Sequence, residues 1–263
     1  MSDTPLQRAS VDGLPVVFVT PAPANDRGRL ALFLPFLGGT KETVAPQLAR
    51  LAHDGFTAVG LDPFRLGERG DGDDRAVVAS VFAHFRRDMW PILGQTTLDA
   101  VRVLDWATAR FPVAADDIVA GGLSMGGDIG VALAGIDRRV TRVAAVGATP
   151  DWTRPGMRHV GNPEEVILQG DPTAFGQWMY SHLDPMTHPG GYAHGPAIAF
   201  ELGADDTHVP PEAATRFREA LRAAAPLAAE RMRVTEHAGL DHLGAIRDTR
   251  VVESALAWLA DPS

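Results

Sequence analysis

Hydrophobic and polar positions along the chain follow two repeating patterns. Short apolar runs, typical of strands buried on both faces, occur at residues 57–61, 118–123, 140–148, 197–202 and 232–236. Segments in which apolar residues recur every three or four positions, typical of amphipathic helices, occur at residues 44–53, 74–87, 98–111, 126–136, 211–224 and 249–260. Strands that alternate with helices form largely parallel sheets covered on both faces, so this pattern predicts an α/β fold.

Two stretches depart from this alternation. Residues 16–20 and 29–34 indicate two strands joined by a turn rich in Pro, Asn, Asp and Gly, and therefore predict a hairpin. Residues 151–196 are irregular and rich in Pro, Gly and His, with one clear helix at 173–183. Long irregular segments inside compact domains are often lids or binding loops. We therefore predict a single domain over residues 1–263, in which residues 151–196 form a lid or substrate-binding insertion after the sixth strand.

Composition changes this picture mainly by exclusion. The formal net charge is −9 at pH 7, so the chain repels phosphate groups, and neither nucleic acid nor a membrane surface is an expected partner. The absence of cysteine excludes disulfides, thiolate metal sites and a cysteine nucleophile. No signal-peptide pattern precedes the first strand and no apolar run is long enough to span a bilayer, so we expect a cytoplasmic protein.

The strongest indication of chemistry is the run Gly122-Leu123-Ser124-Met125-Gly126, which matches G-x-S-x-G. It lies between a predicted strand and a predicted helix, which is the context of a nucleophilic serine on a sharp strand-to-helix turn. Glycine fits two positions before and after the serine because larger side chains there would collide with neighbouring backbone. We therefore predict that Ser124 is a nucleophile and that the backbone N–H of Met125 stabilises the oxyanion.

A serine nucleophile needs a base and an acid that orients the base, and both should follow the serine along the chain. His242 lies in a loop between the last predicted strand and helix, with His237 as a competing base closer to the strand. Asp205 and Asp206 follow a predicted strand, so either carboxylate can meet the serine at the carboxyl edge of the sheet. Asp151, after the preceding strand, is a further candidate acid.

Other candidate ligands are sparse. His182, His188 and His194 fall in the irregular stretch, but no tight ligand pair such as H-E-x-x-H is present, so we predict no metal site. Acyl transfer to a serine also needs no cofactor, and we predict none.

Large apolar residues could line a pocket over Ser124. Phe36 lies in a glycine-rich loop after an early predicted strand, and that loop can supply the second backbone donor for an oxyanion. Trp152 and Trp178 lie in the irregular stretch, and Trp152 directly follows the sixth strand. We assign these three aromatic residues as candidate substrate-binding residues.

Together these motifs resemble the α/β-hydrolase superfamily along nearly the whole chain. The chain looks most like the bacterial esterase, dienelactone hydrolase and prolyl-oligopeptidase-like branch, whose early loop usually reads H-G-x-G-G-S-K-E. Here Gly38-Gly39-Thr40-Lys41-Glu42 matches that loop, while Pro35-Phe36 replaces His-Gly. By this alignment Leu37 supplies the second N–H of the oxyanion hole.

The acid segment of that branch, G-x-x-D-x-x-V-P, selects one of the two neighbouring aspartates. Gly203, Asp206, Val209 and Pro210 fit its register, so the resemblance assigns Asp206 rather than Asp205 as the acid. The resemblance also implies an eight-stranded, mostly parallel sheet with helices on both faces and a small cap-like insertion after the sixth strand.

The expected function is hydrolysis of a carboxylic ester or lactone through an acyl-enzyme on Ser124, with a small-molecule ester as partner and a homodimer left open. One alternative keeps the triad and changes the bond to a peptide, a thioester or a carbon–carbon bond. Another alternative, from a different functional class, is a non-catalytic binding protein on a hydrolase scaffold.

Overall fold

Within the part of the chain that the structure describes, eight strands form one sheet, and six neighbouring strands of it run parallel. In the computed structural model, which describes residues 5–261, the strand order is β1-β2-β4-β3-β5-β6-β9-β10. The strands are β1 (Gln7–Val11), β2 (Leu14–Val19), β3 (Arg29–Leu34), β4 (Phe56–Leu61), β5 (Ile118–Leu123), β6 (Val140–Val146), β7 (Arg158–His159), β8 (Asn162–Val166), β9 (Ala197–Gly203) and β10 (Met232–His237). Strand β2 is antiparallel to both of its neighbours, and the remaining pairs, from β4 to β10, are parallel. The predicted mostly parallel, eight-stranded sheet is therefore confirmed.

Helices cover both faces of this sheet. They are α1 (Ala45–His53), α2 (Asp74–Ala83), α3 (Phe85–Arg110), α4 (Met125–Ile136), α5 (Ala174–Leu183), α6 (Glu212–Ala224), α7 (Pro226–Glu230), α8 (His242–Arg247) and α9 (Thr249–Ala260). Alternate residues of β3 enter opposite cores: Leu32 packs with α3 and α4, whereas Phe33 packs with α1 and α9. This is the alternation expected of a strand buried on both faces. No helix within residues 5–261 is both long and apolar enough to cross a membrane.

The predicted hairpin between residues 16–20 and 29–34 is wrong. Strand β2 pairs with β1 and β4, while β3 pairs with β4 and β5. The hairpin instead joins β1 to β2 through Asp12 and Gly13, whose φ angles of 48° and 83° suit a tight turn between twisted strands. Strand β1 was missed because most of its residues are exposed, and it therefore has no apolar run.

The helices predicted at residues 74–87 and 98–111 also differ from the structure. Helix α2 ends at Ala83, and α3 then runs continuously from Phe85 to Arg110 with Pro91 inside it. A proline interrupts the apolar periodicity and usually ends a helix, which is why the sequence predicted two separate segments. Here the buried side chains along α3 hold the helix together on both sides of Pro91.

The stretch predicted as an insertion, residues 151–196, contains the β7–β8 hairpin, α5 and two single helical turns. Helix α5 begins after Thr173, whose side chain caps it by accepting the Gly176 N–H. The ring of Tyr180 stacks on Trp90 of α3 with 4.3 Å between ring centroids. Residues 151–196, called the inserted stretch below, are therefore anchored on the long helix α3. That they form an insertion, and that they act as a lid or binding segment, stay predictions.

Candidate active site

Ser124 lies on the sharp turn that joins β5 to α4. Its φ and ψ angles are 49° and −117°, which is an unfavourable conformation for a residue with a side chain. A Cβ atom on Gly122 would overlap the backbone of Gly126, and a Cβ atom on Gly126 would overlap the backbone of Leu34. The two glycines of the motif are thus required by close backbone packing. The Ser124 N–H donates to the Val146 carbonyl at 2.7 Å, which fixes the turn against β6.

The structure brings Ser124, His242 and Asp206 into one hydrogen-bonded chain. The Ser124 Oγ lies 3.0 Å from His242 Nε2, and His242 Nδ1 lies 2.8 Å from Asp206 Oδ2. Because a carboxylate only accepts, Nδ1 carries the proton, and Nε2 is left to accept from the serine hydroxyl. The residues are 6%, 6% and 3% exposed, respectively. A hydroxyl, an imidazole and a carboxylate in this order can act as a nucleophile, a general base and an acid that orients the base.

These side chains lie at the carboxyl edge of the sheet, shortly after the ends of strands β5, β9 and β10. Asp206 follows β9, and its Oδ1 accepts the N–H groups of His208 and Val209 at 2.9 and 2.7 Å. His242 is the first residue of α8, which is capped by the Asp241 side chain. The second carboxylate oxygen of Asp206 therefore remains free to face the imidazole.

The other candidates from the sequence lie elsewhere. Asp205 is exposed, whereas its neighbour Asp206 is the residue bonded to His242. His237 instead contacts Glu201, with 2.7 Å between Nε2 and Oε2. Asp151 forms an ion pair with Arg216 at 2.7 Å. Among the candidate acids and bases that the sequence left open, Asp206 and His242 are the ones that the structure places in contact with each other and with Ser124.

The two predicted oxyanion donors also lie near Ser124. Met125 is the first residue of α4, where backbone N–H groups have no acceptor within the helix. Leu37 lines the same cavity as Ser124. The loop that carries Leu37 is closed by a hydrogen bond from the Gly39 N–H to the Phe36 carbonyl at 2.9 Å, and Gly38 has a φ angle of 83°. Donation by these two N–H groups to an oxyanion stays a prediction.

A cavity of about 220 Å³ opens beside Ser124 and His242. Its apolar lining residues are Phe36, Leu37, Val78, Phe82, Val160, Leu243 and Ile246. His208 and Arg247 complete the lining. The structure thus places Phe36 where the sequence predicted it. Val78 and Phe82, from α2, were missed, although their spacing of four residues indicates one common helix face.

Neither predicted tryptophan lines this cavity, so the structure corrects both assignments. Trp152 is fully buried at 0% exposure, and its carbonyl accepts the indole N–H of Trp90 at 3.0 Å. Trp178 is 47% exposed on α5 and stacks on His182 with 4.4 Å between ring centroids. Sequence shows that a residue is aromatic and lies in an insertion, but the direction of its side chain depends on how the insertion packs.

Comparison with known proteins gives matches at the level of structure. No protein-family model matches the sequence, and no curated protein sequence matches it either. The Thermus thermophilus protein TT1662 superposes with a TM-score of 0.73 at 22% identity, over 97% of this chain and 96% of that one. Thermogutta terrifontis esterase 2, solved after phosphonylation by sarin, superposes with a TM-score of 0.61 at 18% identity, over 98% and 92%. The chain has the α/β-hydrolase fold.

A third similar structure is much longer than this chain. A puromycin-hydrolysing peptidase from Mycobacterium tuberculosis superposes with a TM-score of 0.70 at 16% identity. The match covers 97% of this chain and 39% of the peptidase. At these identities the similarity shows the fold alone.

A second buried polar cluster lies next to the hydrogen-bonded chain of Ser124, His242 and Asp206. Its members are Asp128 on α4, Arg154 in the inserted stretch and His208 after β9. Burial raises the pKa of the Asp128 carboxyl, while Arg154 acts in the opposite direction. Burial lowers the pKa of His208 to about 2, and the charge of Arg154 contributes to this shift. No motif in the sequence pointed to this cluster, because its members are far apart along the chain.

Metal-ligating side chains are dispersed in the part of the chain that the structure describes. Within residues 5–261, no group of three or more His, Asp or Glu side chains is placed to hold a metal ion. His182 contacts the Trp178 carbonyl, His188 the Thr187 hydroxyl and His194 the Val140 carbonyl.

Proposed function

We propose that this chain is a serine hydrolase that cleaves a carboxylic ester or lactone through an acyl-enzyme on Ser124. The observation that carries the proposal is the chain of contacts from Ser124 Oγ to His242 at 3.0 Å and from His242 to Asp206 at 2.8 Å. A hydroxyl, an imidazole and a carboxylate in this order form an activated nucleophile. The strained backbone at Ser124 adds support, because such strain clusters at functional sites.

The chemistry follows from the roles that these atoms can take. His242 Nε2 accepts the hydroxyl proton while Ser124 Oγ attacks the carbonyl carbon, and the Met125 and Leu37 N–H groups stabilise the oxyanion. His242 then returns the proton to the alkoxide, which departs as an alcohol from an ester and remains on the acyl group as a hydroxyl when the substrate is a lactone. A water molecule then attacks the acyl-enzyme, again with His242 as the general base, and releases the carboxylic acid and free Ser124. Asp206 keeps the imidazole in the required tautomer and stabilises the imidazolium.

The size of the cavity favours a small, apolar acyl group. Its volume of about 220 Å³ lies below the roughly 300–1,000 Å³ of pockets for drug-sized ligands. Its lining is apolar apart from Ser124, His242, His208 and Arg247.

The first experiment is hydrolysis of p-nitrophenyl esters from acetate to octanoate by wild type, Ser124→Ala and Ser181→Ala. Ser181 is exposed and contacts Gln177, so its variant is a matched control. We expect wild type and Ser181→Ala to prefer short acyl chains, and Ser124→Ala to lose roughly 10³-fold or more in kcat/KM. Equal rates in wild type and Ser124→Ala would exclude Ser124 as the nucleophile. Cleavage of aminoacyl p-nitroanilides without cleavage of esters would assign the peptide alternative.

A further inference from the structure

We propose that Arg154, paired with Asp128, is a positioning residue that holds the triad in its reactive geometry through His208. This inference rests on the proposed function, because it assigns a task to residues behind the proposed triad. None of these three side chains belongs to the G-x-S-x-G motif or to the triad itself. The proposal stands on a continuous path of contacts that begins and ends at Ser124.

The first step of the path is a buried ion pair. The side chains of Arg154 and Asp128 are 2% and 0% exposed, and Arg154 Nη2 bonds to Asp128 Oδ2. A second oxygen of Asp128 accepts the Thr149 N–H at 2.7 Å. The free energy lost when two charges are removed from water offsets much of their mutual attraction, and proteins with apolar residues in place of a buried ion pair are often as stable. The pair is therefore better explained by a requirement for position than by a requirement for stability.

The backbone at Arg154 supports this interpretation. Its φ angle is 40°, in the left-handed region that side-chain-bearing residues rarely adopt. Strain of this kind persists where the surroundings over-determine a residue, and it clusters at functional sites. The guanidinium also lies over the Phe85 ring, 5.2 Å from its centroid, so α3 restrains it from another side. Arg154 is thus held in one place by α3 and α4 together.

The second step joins Arg154 to His208. His208 Nδ1 lies 2.8 Å from the Arg158 carbonyl, so Nδ1 must carry the proton. Nε2 then presents a lone pair, which accepts from Arg154 Nη1 at 3.5 Å. A pKa of about 2 for His208 agrees with a permanently neutral ring in a single tautomer. The inserted stretch therefore fixes both nitrogen atoms of this imidazole.

The third step joins His208 to both remaining members of the triad. Its backbone N–H donates to Asp206 Oδ1 at 2.9 Å. Its ring packs edge-on against the His242 ring, with 4.8 Å between centroids and an angle of 62° between planes. The Phe82 ring also contacts the His208 ring, with 5.7 Å between ring centroids. A movement of His208 would therefore displace the acid and the base together.

The path closes at the nucleophile. Asp128 lies one helical turn after Ser124, and its N–H donates to the Ser124 carbonyl at 3.1 Å. The contacts thus run from Ser124 through Asp128, Arg154 and His208 to His242, and back to Ser124. Such a ring can keep the 3.0 Å separation of Ser124 Oγ and His242 Nε2 constant. Small displacements of reacting groups can cost about 10²-fold in rate, which sets the scale of the expected effect.

The kinetic test compares Arg154→Met with Arg154→Lys and with Arg69→Met. Arg69 forms a largely buried ion pair with Asp99, whose side chains are 11% and 2% exposed, and neither residue lines the cavity, so the loss of Arg69 is the control. Active sites are counted with a p-nitrophenyl phosphonate, which separates the fraction of folded protein from the rate of each site. For Arg154→Met we expect kcat per titrated site to fall about 10- to 100-fold with KM changed less than about threefold. Arg154→Lys should lie between Arg154→Met and wild type, and Arg69→Met should equal wild type.

A second readout does not depend on turnover. The proton shared by His242 Nδ1 and Asp206 should give a low-field NMR resonance, and ¹⁵N-histidine spectra report the tautomer of His208. We expect Arg154→Met to shift or broaden both signals and Arg69→Met to leave them unchanged. If Arg154→Met does not fold, Asp128→Asn/Arg154→Met removes both charges and takes its place.

The two readouts distinguish the two proposals. If wild type reacts with neither phosphonate nor ester, the proposed hydrolase function fails, and the NMR comparison alone decides whether Arg154 positions the triad. If Arg154→Met, or the double variant, keeps the wild-type rate per titrated site and unchanged histidine signals, the positioning role is overturned. A reduced rate per site with altered histidine signals supports it.

Discussion

The turn at Ser124 and the inserted stretch between β6 and β9 contribute to the same site by different physical means. At the turn, backbone packing is decisive, because Gly122 and Gly126 leave no space for a Cβ atom. The inserted stretch contributes through side chains and a carbonyl that reach the site over long separations, as Arg154 and Arg158 do at His208. A local constraint leaves a mark on the sequence, whereas a constraint assembled from distant residues does not.

The largest expected effect tests the contact between Asp206 and His242 at the carboxyl edge of the sheet. Asp206→Asn should lower kcat by about 10⁴-fold. The His208 and Val209 N–H groups hold the amide oxygen, so the amide NH2 group faces His242 Nδ1 and donates to it, which imposes the wrong imidazole tautomer. Asp205→Asn is the matched control, since Asp205 is the exposed neighbour, and it should change kcat less than about twofold. The measurement is ester hydrolysis under saturating substrate. If the two variants exchanged these results, Asp205 would be the acid.

A somewhat smaller effect tests backbone packing at the turn. Gly126→Ala places a methyl group against the Leu34 backbone and should displace Ser124, lowering kcat/KM about 10²-fold. Gly130→Ala, one turn along the same helix, is the control. Its nearest neighbour is Gly121 Cα at 3.6 Å, so it should keep activity and stabilise the helix by about 0.5–1 kcal/mol. Ester hydrolysis and thermal unfolding measure these two outcomes, and full activity of Gly126→Ala would contradict the packing argument.

The smallest effect concerns His208, where the two regions meet. Its pKa of about 2 lies below the value of 6.5 for a free histidine, so the unfolded chain binds the extra proton. The stability contribution of a neutral His208 is therefore complete above pH 6.5 and is lost as the pH falls through the window from 6.5 towards 2. At pH 5 the loss is about 2 kcal/mol.

Denaturation in urea at pH 7 and pH 5 measures this loss. His208→Asn removes the titrating group and keeps a donor for the Arg158 carbonyl, so it should lose about 2 kcal/mol less than wild type between the two pH values. His182→Asn, at an exposed position on α5, should behave like wild type. An equal acid sensitivity of wild type and His208→Asn would show that His208 titrates normally in the folded protein.

What could be predicted from the sequence follows the same division. The buried strands and amphipathic helices, with the glycine spacing around Ser124, express local rules, and they predicted the parallel sheet and the positions of Ser124 and His242. The choice of Asp206 over Asp205 needed the family register, because both residues lie in one loop. Strand β1 was missed because its residues are mostly exposed.

The inserted stretch shows the limit of local patterns. Trp152 and Trp178 have the residue type expected of a pocket, but one is packed inside the core and the other faces solvent. Val160 was not singled out, yet the turn of the β7–β8 hairpin brings it to the cavity. These directions are set by how the stretch packs on α3 and α4, and no spacing within residues 151–196 encodes that packing.

The pairing of Arg154 with Asp128 also limits how this protein can be recombined. Residues 151–196 are an attractive unit for exchange between proteins of this fold, because Val160 within them lines the cavity beside Ser124. Residues 151–196 cannot be exchanged alone. A replacement segment that lacks Arg154 would leave the buried Asp128 carboxylate on α4 without its counter-charge. A chimera would have to carry position 128 and position 208 along with residues 151–196, so three separate pieces of the chain would be inherited together.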